Sequence, residues 1–406
     1  MDLIFYRRNK ILGTDERRKE LSPMKARTDE LISRERFTLA LSHRETDRVP
    51  ADLGGLSTTI RTVDLYQRLR SFLGLPPLER VRHFLDEHIV LDEDLLTAFK
   101  IDTRYIRTGA ARNWRRERID QYTLRDEWSV AWTKPPHYLY AGVADYPIKE
   151  PTMDALRRYS FPDPEDPGRY EGLKERARRL HEETHYAIVA DYPTGAGVFD
   201  QAWRLRGMEE LFIDMLEGTE FSHELHELVG NWYQKVYERY MQEVGPYVHM
   251  VMLYEDLSMQ EGPLISVELF RKFVRPQHER VIKAIRDHTD AEICLHICGS
   301  AYAFIPDFIE MGIGVLNPVQ IRAKDMEPEK LKAEFGDRLS FHGGVDAQEV
   351  LPYGSQEVVE EEVRRLVRIL GENGGYLLAP CHSIQPDVPP ENIRALFSAG
   401  RSIKGI

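Results

Sequence analysis

Apolar runs of strand length alternate with amphipathic helical segments along most of this chain. The eight runs cover residues 48–53, 101–107, 185–195, 247–256, 291–298, 312–319, 338–344 and 374–380. Continuous apolar strands that alternate with helices are typical of a parallel sheet buried on both faces. Eight consecutive units predict an α/β fold of the (β/α)8 TIM-barrel type rather than an open, doubly wound sheet.

Two segments fall outside this alternation. Residues 108–150 are aromatic and polar and lack a helical period, so we expect an inserted β-hairpin region after the second strand. Residues 1–28 show no buried pattern, which predicts a flexible N-terminal extension. Residues 29–406 then make up the predicted barrel domain.

Charge and composition narrow the range of partners. The formal net charge of −12 disfavours nucleic acids and anionic membrane surfaces. No apolar run approaches the roughly 20 residues that span a bilayer, and the N-terminus lacks a secretory signal, so we expect a cytoplasmic protein. The three cysteines, Cys294, Cys298 and Cys381, are too few for a disulfide framework and direct attention to metal binding or catalysis.

The segment EICLHICGS (292–300) places a cysteine two residues after a histidine, at the end of an apolar run. Residues i and i+2 of a strand point to the same face, so Cys294, His296 and Cys298 share one face. His296 and Cys298 fall at the C-terminal end, where barrel enzymes build their active sites. Cys294 lies deeper and is expected to pack, and a His-x-Cys pair alone is a weak signal because buried free cysteines are common as small hydrophobic residues.

Cys381 strengthens the metal hypothesis, because it follows GGYLLAP at the end of another predicted strand. One imidazole and two thiolates form a ligand set that suits Zn²⁺. Three ligands from distant strand ends, with a fourth position open, are typical of a catalytic rather than a structural zinc site. The sequence therefore predicts a zinc site held by His296, Cys298 and Cys381.

Glu255 and Asp256 are the leading candidates for acid–base chemistry. They end a predicted strand in YEDLSMQEG (254–262). Either carboxylate can serve as a general base or as a labile fourth ligand. A solvated turn before a helix explains the two acids equally well.

Three histidines are weaker candidates. His342 ends a predicted strand, just before a pair of glycines, and His382 stands beside Cys381 as a further ligand option. His249 lies inside a strand and is expected to be a core residue with satisfied hydrogen bonds.

The chain resembles the uroporphyrinogen decarboxylase superfamily, and within it the zinc- and corrinoid-dependent methyltransferases. The resemblance covers roughly residues 30–404 and is weakest at 108–150. It rests on the stretches RERFTLALSHRETDRVPADLGG, YEDLSMQEGPLIS, LHICGSAYAFIPDFIEMGIGVLNPVQ, FHGGVDAQEVLPYGSQEVVEEEVRRLV and GGYLLAPCHSIQPDVPPENIRAL. It implies a (β/α)8 barrel with zinc on His296, Cys298 and Cys381.

The resemblance also implies methyl transfer to or from the cobalt of a corrinoid (cobalamin). A separate small corrinoid-binding protein would supply the cobalt, because this chain contains no DxHxxG corrinoid motif. Zinc then either holds a thiol as a nucleophilic thiolate or acts as a Lewis acid on the heteroatom of a methyl ether, amine or thiol. A homodimer is left open.

The same resemblance suggests roles for further residues. Asp256 is the first candidate for accepting a substrate proton, with Glu255 and Asp346 as second choices. The pairs Gly54–Gly55 and Gly343–Gly344 suit the close approach of a flat corrin ring, because glycine has no side chain to obstruct it.

Two alternatives remain open: a uroporphyrinogen decarboxylase-like lyase, and a non-catalytic corrinoid- or tetrapyrrole-binding protein. The decarboxylases carry an arginine-rich RQAGR loop after the first strand, which holds the acetate groups of their substrate. Here the equivalent stretch is ADLGGLSTTIRT (51–62), and Arg61 alone is a poor substitute for gripping a polyacid. The methyltransferase interpretation is therefore favoured.

Overall fold

Seven parallel strands form a curled central sheet in the computed structural model of this chain. The strands of the protein are β1 (Thr103–Ile106), β2 (Glu117–Arg118), β3 (Thr123–Arg125), β4 (Ala131–Thr133), β5 (Gly142–Asp145), β6 (Ala187–Ala190), β7 (Met250–Tyr254), β8 (Ser258–Met259), β9 (Gly262–Pro263), β10 (Glu292–His296), β11 (Val315–Asn317), β12 (Ser340–Val345) and β13 (Tyr376–Pro380). The central sheet has the order β1-β6-β7-β10-β11-β12-β13. Its seven strands coincide with seven of the eight predicted runs, and every neighbouring pair is parallel.

Helices separate consecutive strands of this sheet. They are α1 (Ser33–Leu41), α2 (Val63–Phe72), α3 (Glu93–Ala98), α4 (Met153–Arg158), α5 (Leu173–Glu183), α6 (Val198–Arg206), α7 (Met208–Glu217), α8 (Glu220–Val244), α9 (Val267–Leu269), α10 (Arg275–Arg286), α11 (Ile305–Met311), α12 (Pro328–Phe335), α13 (Val350–Tyr353), α14 (Gln356–Leu370) and α15 (Pro390–Ser402). One π-helical turn, Phe270–Val274, joins α9 to α10. None of these helices combines the length and apolarity that a membrane span requires.

The structure describes residues 30–78, 88–112, 114–403 and 405. The predicted N-terminal extension, residues 1–28, lies outside the described residues. Residues 32–406 form one unit by their contacts, and the description that follows concerns this unit.

The run RVPADL (48–53), predicted as the first strand, differs from the other seven. It forms an isolated bridge at Ala51 rather than a full strand. Its backbone nevertheless pairs on both sides: Asp52 N–H donates to Leu378 O at 2.9 Å, and Ala51 O accepts from Asp102 N–H at 2.9 Å. Pro50 has no N–H to donate, which limits the ladder at this position. Residues 51 and 52 are thus bonded both to β13 and to the residue preceding β1, at the two edges of the sheet.

A second, antiparallel sheet occupies part of the segment 108–150. Strands β2, β3, β4 and β5 pair in that order, each antiparallel to the next. The loop between β4 and β5 contacts Arg61, whose guanidinium donates to Leu139 O at 2.6 Å and lies over the Tyr140 ring.

Side chains alternate between two apolar clusters along the central strands. On β7, Met250 and Met252 belong to an inner cluster, whereas Val251 and Leu253 join the larger cluster that packs against the helices. The inner cluster comprises Phe37, Leu41, Ala187, Val189, Tyr192, Met250, Met252, Cys294, Val315 and Leu377. Cys294 is fully buried there, which agrees with the packing role predicted for it.

Helix α1 covers the end of the sheet at which the parallel strands begin. Gly375 N–H, just before β13, donates to Ala40 O at 2.7 Å. Beneath the helix, the Asp102 carboxylate accepts from Arg36 at 2.8 Å and from Arg48 at 2.7 Å. Because all three side chains are buried, each charge depends on the others for compensation. Helix α1 thus covers the N-terminal end of the strand array. The C-terminal ends of the strands remain available for a functional site.

Candidate metal centre

Three side chains converge where two neighbouring strands of the central sheet end. We call this C-terminal end of the strand array the mouth. The potential ligand atoms of Asp256, His296 and Cys298 all lie within 4.8 Å of one another. His296 ends β10, Cys298 lies two residues further on, and Asp256 follows β7 by two residues. Strands β7 and β10 are parallel neighbours in register, so their carboxyl ends meet at the same edge. This is the one group of its kind among the residues that the structure describes.

The His296 imidazole is held in a form that can bind a cation. Its Nδ1 lies 2.7 Å from Asn317 Oδ1, so Nδ1 carries the proton and donates it. Its Nε2 lies 3.4 Å from Cys298 Sγ and retains the lone pair. Burial lowers the pKa of His296 to about 4, so the ring is neutral at physiological pH. A neutral imidazole whose second nitrogen is fixed by an acceptor is the usual arrangement of a metal-binding histidine.

Asn317 contributes to the centre and was not predicted from the sequence. It is fully buried, at the end of β11 and in register with His296. Its Nδ2 has no hydrogen-bond partner among the described residues. A buried donor without a partner costs about 1–3 kcal/mol of unfolding free energy. An asparagine at this position is therefore better explained by the contact of its Oδ1 with His296 than by a contribution to stability. The signal in the sequence was a polar residue that ends the apolar run GIGVLN.

The surroundings of Cys298 disfavour a thiolate unless a cation is present. Burial raises the pKa of Cys298 well above its ordinary value, and the neighbouring Asp256 carboxylate raises it further. A bound metal ion reverses this, because a coordinated thiol loses its proton.

Asp256, which is half-buried, and Asp200, which is buried, form a pair of acids beside the Cys298 thiol. Asp256 N–H donates to Asp200 Oδ2 at 2.9 Å, and the Tyr254 hydroxyl donates to Asp256 Oδ2 at 2.7 Å. Burial and the charge of Asp256 raise the pKa of Asp200 to about 6. Two acids and a thiol at one place favour a positively charged occupant.

Cys381, the third predicted zinc ligand, lies outside the group within 4.8 Å. Its Sγ lies 3.3 Å from Ala347 N–H, in the turn after β12, and its own N–H donates to Val345 O at 2.8 Å. Burial raises the pKa of Cys381 to about 12. Asp256, predicted as a general base or a labile fourth ligand, thus belongs to the group, whereas Cys381 does not, and zinc binding by Cys381 stays a prediction.

The Glu255 side chain points away from the mouth. Strand alternation turns its side chain toward the helices, where it accepts from Val198 N–H and Phe199 N–H at the start of α6. Its Oε1 also lies 2.7 Å from His278 Nε2. Burial raises the pKa of Glu255, and the contact with His278 opposes that rise. These contacts give Glu255 a structural role, and its catalytic role stays a prediction.

Asp346 is likewise fully engaged by the protein. Its Oδ2 pairs with Arg322 Nε, and its Oδ1 accepts from Gln348 N–H at 2.8 Å. The residue is 1% exposed. Its role as an alternative base stays a prediction.

The two glycine pairs that were predicted to admit a flat corrin ring are closely packed within the protein. All four are buried. A Cβ on Gly55 would lie 2.7 Å from the Tyr105 ring, and one on Gly343 would lie 3.3 Å from Pro380 O. Gly54, Gly343 and Gly344 have φ values near +100 to +116°, which a side chain disfavours. Close internal packing therefore accounts for these positions, and corrin binding at them remains a prediction.

The remaining predicted histidines belong to other surroundings. His342 Nε2 lies 2.9 Å from Asp52 Oδ2, and both residues are buried. His382 Nδ1 lies 3.3 Å from Ser383 O, and burial lowers the pKa of His382. His249 lies just before β7 and is half-buried rather than in the core, and its Nδ1 accepts from Ile188 N–H at 3.0 Å.

Comparison with known proteins places the chain in a family. The model of the family described as Uroporphyrinogen decarboxylase (URO-D) matches residues 143–403, so the chain belongs to that family and the predicted resemblance is confirmed. The solved structure of a methyltransferase from Methanosarcina mazei covers 92% of this chain and 99% of its own, with a TM-score of 0.60 and 16% identity. At this identity the likeness supports the fold.

Curated relatives carry two different names. The methylcobamide:CoM methyltransferase MtaA of Methanosarcina barkeri is 28% identical over 136 residues, which is 34% of this chain and 37% of the relative. A uroporphyrinogen decarboxylase of Pseudoalteromonas atlantica is 32% identical over 71 residues, 18% of this chain and 19% of the relative. The matched segments thus span well under half the length of these relatives.

Proposed function

We propose that this protein is a zinc-dependent methyltransferase. It moves a methyl group between a small methylated substrate or thiol and the cobalt of a corrinoid on a separate protein. The observation that carries the proposal is the convergence of Asp256, His296 and Cys298 at one strand-end mouth. The names of the Methanosarcina relatives support the same reaction class.

The proposal includes a closed (β/α)8 barrel, with the β2–β5 sheet as an insertion after its second strand. The hydrogen bonds of residues 51 and 52 to both edges of the seven-stranded sheet support the closure. A closed barrel explains why β10 and β13, which come from distant parts of the chain, can serve one site.

The donor set fits zinc. Imidazole nitrogen, thiolate sulfur and carboxylate oxygen are all ligands that Zn²⁺ accepts, and the buried acids favour a cation. His296 and Cys298 would hold the ion, with Asp256 and Cys381 completing the set. For Cys381 this requires its thiol to leave the contact with Ala347 N–H. When bound, zinc lowers the pKa of a thiol or polarises the heteroatom of a methyl donor.

The chain's own residues supply orientation and proton transfer. Asn317 keeps the proton of His296 on Nδ1 and thereby keeps Nε2 available. Asp256 is half-buried at the mouth and can accept the proton of a substrate thiol or hydroxyl when it is not a ligand. The inner apolar cluster beneath the site excludes water from the barrel side.

Metal analysis of cysteine variants tests the zinc site. We expect about one zinc per chain in the purified protein, its loss in Cys298→Ser and Cys381→Ser, and its retention in Cys294→Ser. Cys294 is a matched control because it is buried on the same strand face but belongs to the apolar cluster. A Cys294→Ser variant that loses zinc as fully as Cys298→Ser would show that the site lies elsewhere.

The reaction itself is tested by the spectrum of the cobalt. Methylcobalamin, or reduced cobalamin with a panel of methyl ethers, amines and thiols, should change its absorbance only with zinc-loaded enzyme. The runner-up function is a decarboxylase-like lyase, which the name of the second curated relative favours. Decarboxylation of uroporphyrinogen without any cobalt signal would select that alternative, and corrinoid binding without turnover would select a binding protein.

A further inference from the structure

Tyr254 touches two members of the candidate metal centre at once. Its ring stacks on the His296 imidazole, with the ring centres 4.8 Å apart and the planes inclined by 19°. Its hydroxyl donates to Asp256 Oδ2 at 2.7 Å. The Tyr254 side chain therefore fixes the plane of the His296 imidazole and the position of one carboxylate oxygen of Asp256.

The strand register explains why this position can make both contacts. Tyr254 is the last residue of β7 and is the register partner of His296 on β10. Side chains opposite one another on neighbouring strands lie on the same face, and residue i+2 follows on that face. Tyr254 therefore meets His296 across the sheet and Asp256 along the chain.

A second aromatic residue holds the Tyr254 ring in place. Tyr192 meets it edge-on, with the ring centres 5.1 Å apart and an interplanar angle of 68°. Tyr192 is 4% exposed, so the Tyr254 ring packs against a buried side chain. The phenol is consequently a fixed support for the donors.

We infer that Tyr254 is a positioning residue of the metal centre, which orients the His296 imidazole by stacking and the Asp256 carboxylate by its hydrogen bond. This inference rests on the proposed function, because it assigns a role toward the same ion. Outer groups that orient metal ligands typically contribute 10–100-fold to affinity. The hydroxyl acts through Asp256, and the ring acts through His296.

Zinc affinity, measured by competition with a chromophoric chelator, separates the two contributions. Tyr254→Phe keeps the stacked ring and loses the hydroxyl, so we expect about tenfold weaker binding. Tyr254→Leu loses both contacts and should weaken binding further, toward 100-fold. Tyr192→Phe is the matched control: the structure gives its hydroxyl no hydrogen bond among the described residues, and its affinity should stay within twofold of the wild type.

A double-mutant cycle tests the route by which the hydroxyl acts. In an Asp256→Ala background, Tyr254→Phe should have no further effect on zinc affinity, because the acceptor of its hydrogen bond is gone. Tyr254→Leu should still weaken binding in that background, because the stack on His296 is independent of Asp256. Unfolding midpoints of the metal-free variants are measured alongside, so that a general loss of stability is recognised.

The outcomes distinguish this inference from the proposed function. A wild-type chain that binds no zinc overturns the proposed metal site. A wild-type chain that binds zinc while Tyr254→Phe and Tyr254→Leu bind it equally well overturns the positioning role and leaves the site intact. An equal loss in Tyr192→Phe and Tyr254→Phe also overturns it, because that result would assign the effect to general packing.

Discussion

Asn317 determines which nitrogen of His296 faces the ligand position. Its Oδ1 accepts the Nδ1 proton, and that contact leaves Nε2 as the donor. We expect Asn317→Leu to lower zinc affinity by about tenfold or more, because the ring loses its fixed tautomer. Asn317→Asp keeps an acceptor at the same place and should restore most of the binding. Chelator competition measures both variants, and wild-type affinity in Asn317→Leu would contradict the assignment.

A buried network around Asp52 makes stability depend on pH. Its Oδ2 accepts from the Tyr105 hydroxyl and lies 2.9 Å from His342 Nε2, and its Oδ1 accepts from the Thr103 hydroxyl. Burial opposes the charge of Asp52, but the attraction of His342 and these hydrogen bonds hold its pKa below the usual value. The network is therefore a source of stability as long as Asp52 is ionised.

Replacement of Asp52 by asparagine tests this source. A carboxylate whose folded-state pKa lies below its unfolded value of about 3.9 contributes stability above that pH and loses it as the pH falls through the folded pKa. We expect Asp52→Asn to cost about 3 kcal/mol of unfolding free energy at pH 7. In urea titrations the difference from wild type should persist down to about pH 4 and shrink below it. A difference that grows on acidification would contradict the assigned direction.

At the scale of elements, the end of β7 serves two purposes. Alternation sends Tyr254 and Asp256 to the mouth and Glu255 to the start of α6, where two backbone N–H groups meet its carboxylate. A carboxylate at a helix N-terminus is stabilised by these donors and by the helix dipole. The end of β7 thus positions the site and also anchors α6, the helix that follows the neighbouring strand β6.

Glu255→Gln separates the structural from the catalytic interpretation. We expect a loss of about 2 kcal/mol in unfolding free energy, because charged hydrogen bonds to α6 and His278 are weakened. Zinc content should not change, since Glu255 faces away from the mouth. Asp256→Asn is the paired control, with weaker zinc binding and little change in stability. Loss of zinc in Glu255→Gln at unchanged stability would return Glu255 to the candidate centre.

The elements that the sequence predicts well are those whose signal is local. Seven strands follow from apolar runs, and the helices between them follow from the same alternation. The common face of Cys294, His296 and Cys298 follows from alternation alone. The contact of Asp256 with this group and the orientation of Cys381 toward Ala347 depend on side-chain torsions and on distant backbone, which leave no periodic signal in the sequence.

At the scale of the whole molecule, the proposed barrel depends on one short segment. Residues 51 and 52 bond to Leu378 on β13 and to Asp102 before β1, although they form only an isolated bridge. If this segment closes the ring, the sheet has no open edge, and its closing hydrogen bonds break only when the barrel unfolds. An open sheet would instead fray at β1 and β13.

Hydrogen exchange distinguishes a closed from an open sheet. We expect the amides of Asp52, Asp102 and Leu378 to exchange with the same opening free energy as central amides such as that of Leu295 on β10, because all of them report global unfolding. Low concentrations of urea should lower these free energies with equal slopes, since the slope reflects the surface exposed on opening. Exposed amides of the β2–β5 sheet serve as the internal control and should exchange earlier, with a shallow slope. Early exchange at Asp52 and Leu378, with a shallow urea dependence like that of the control, would contradict closure and leave a seven-stranded open sheet carrying the metal centre at its middle strands.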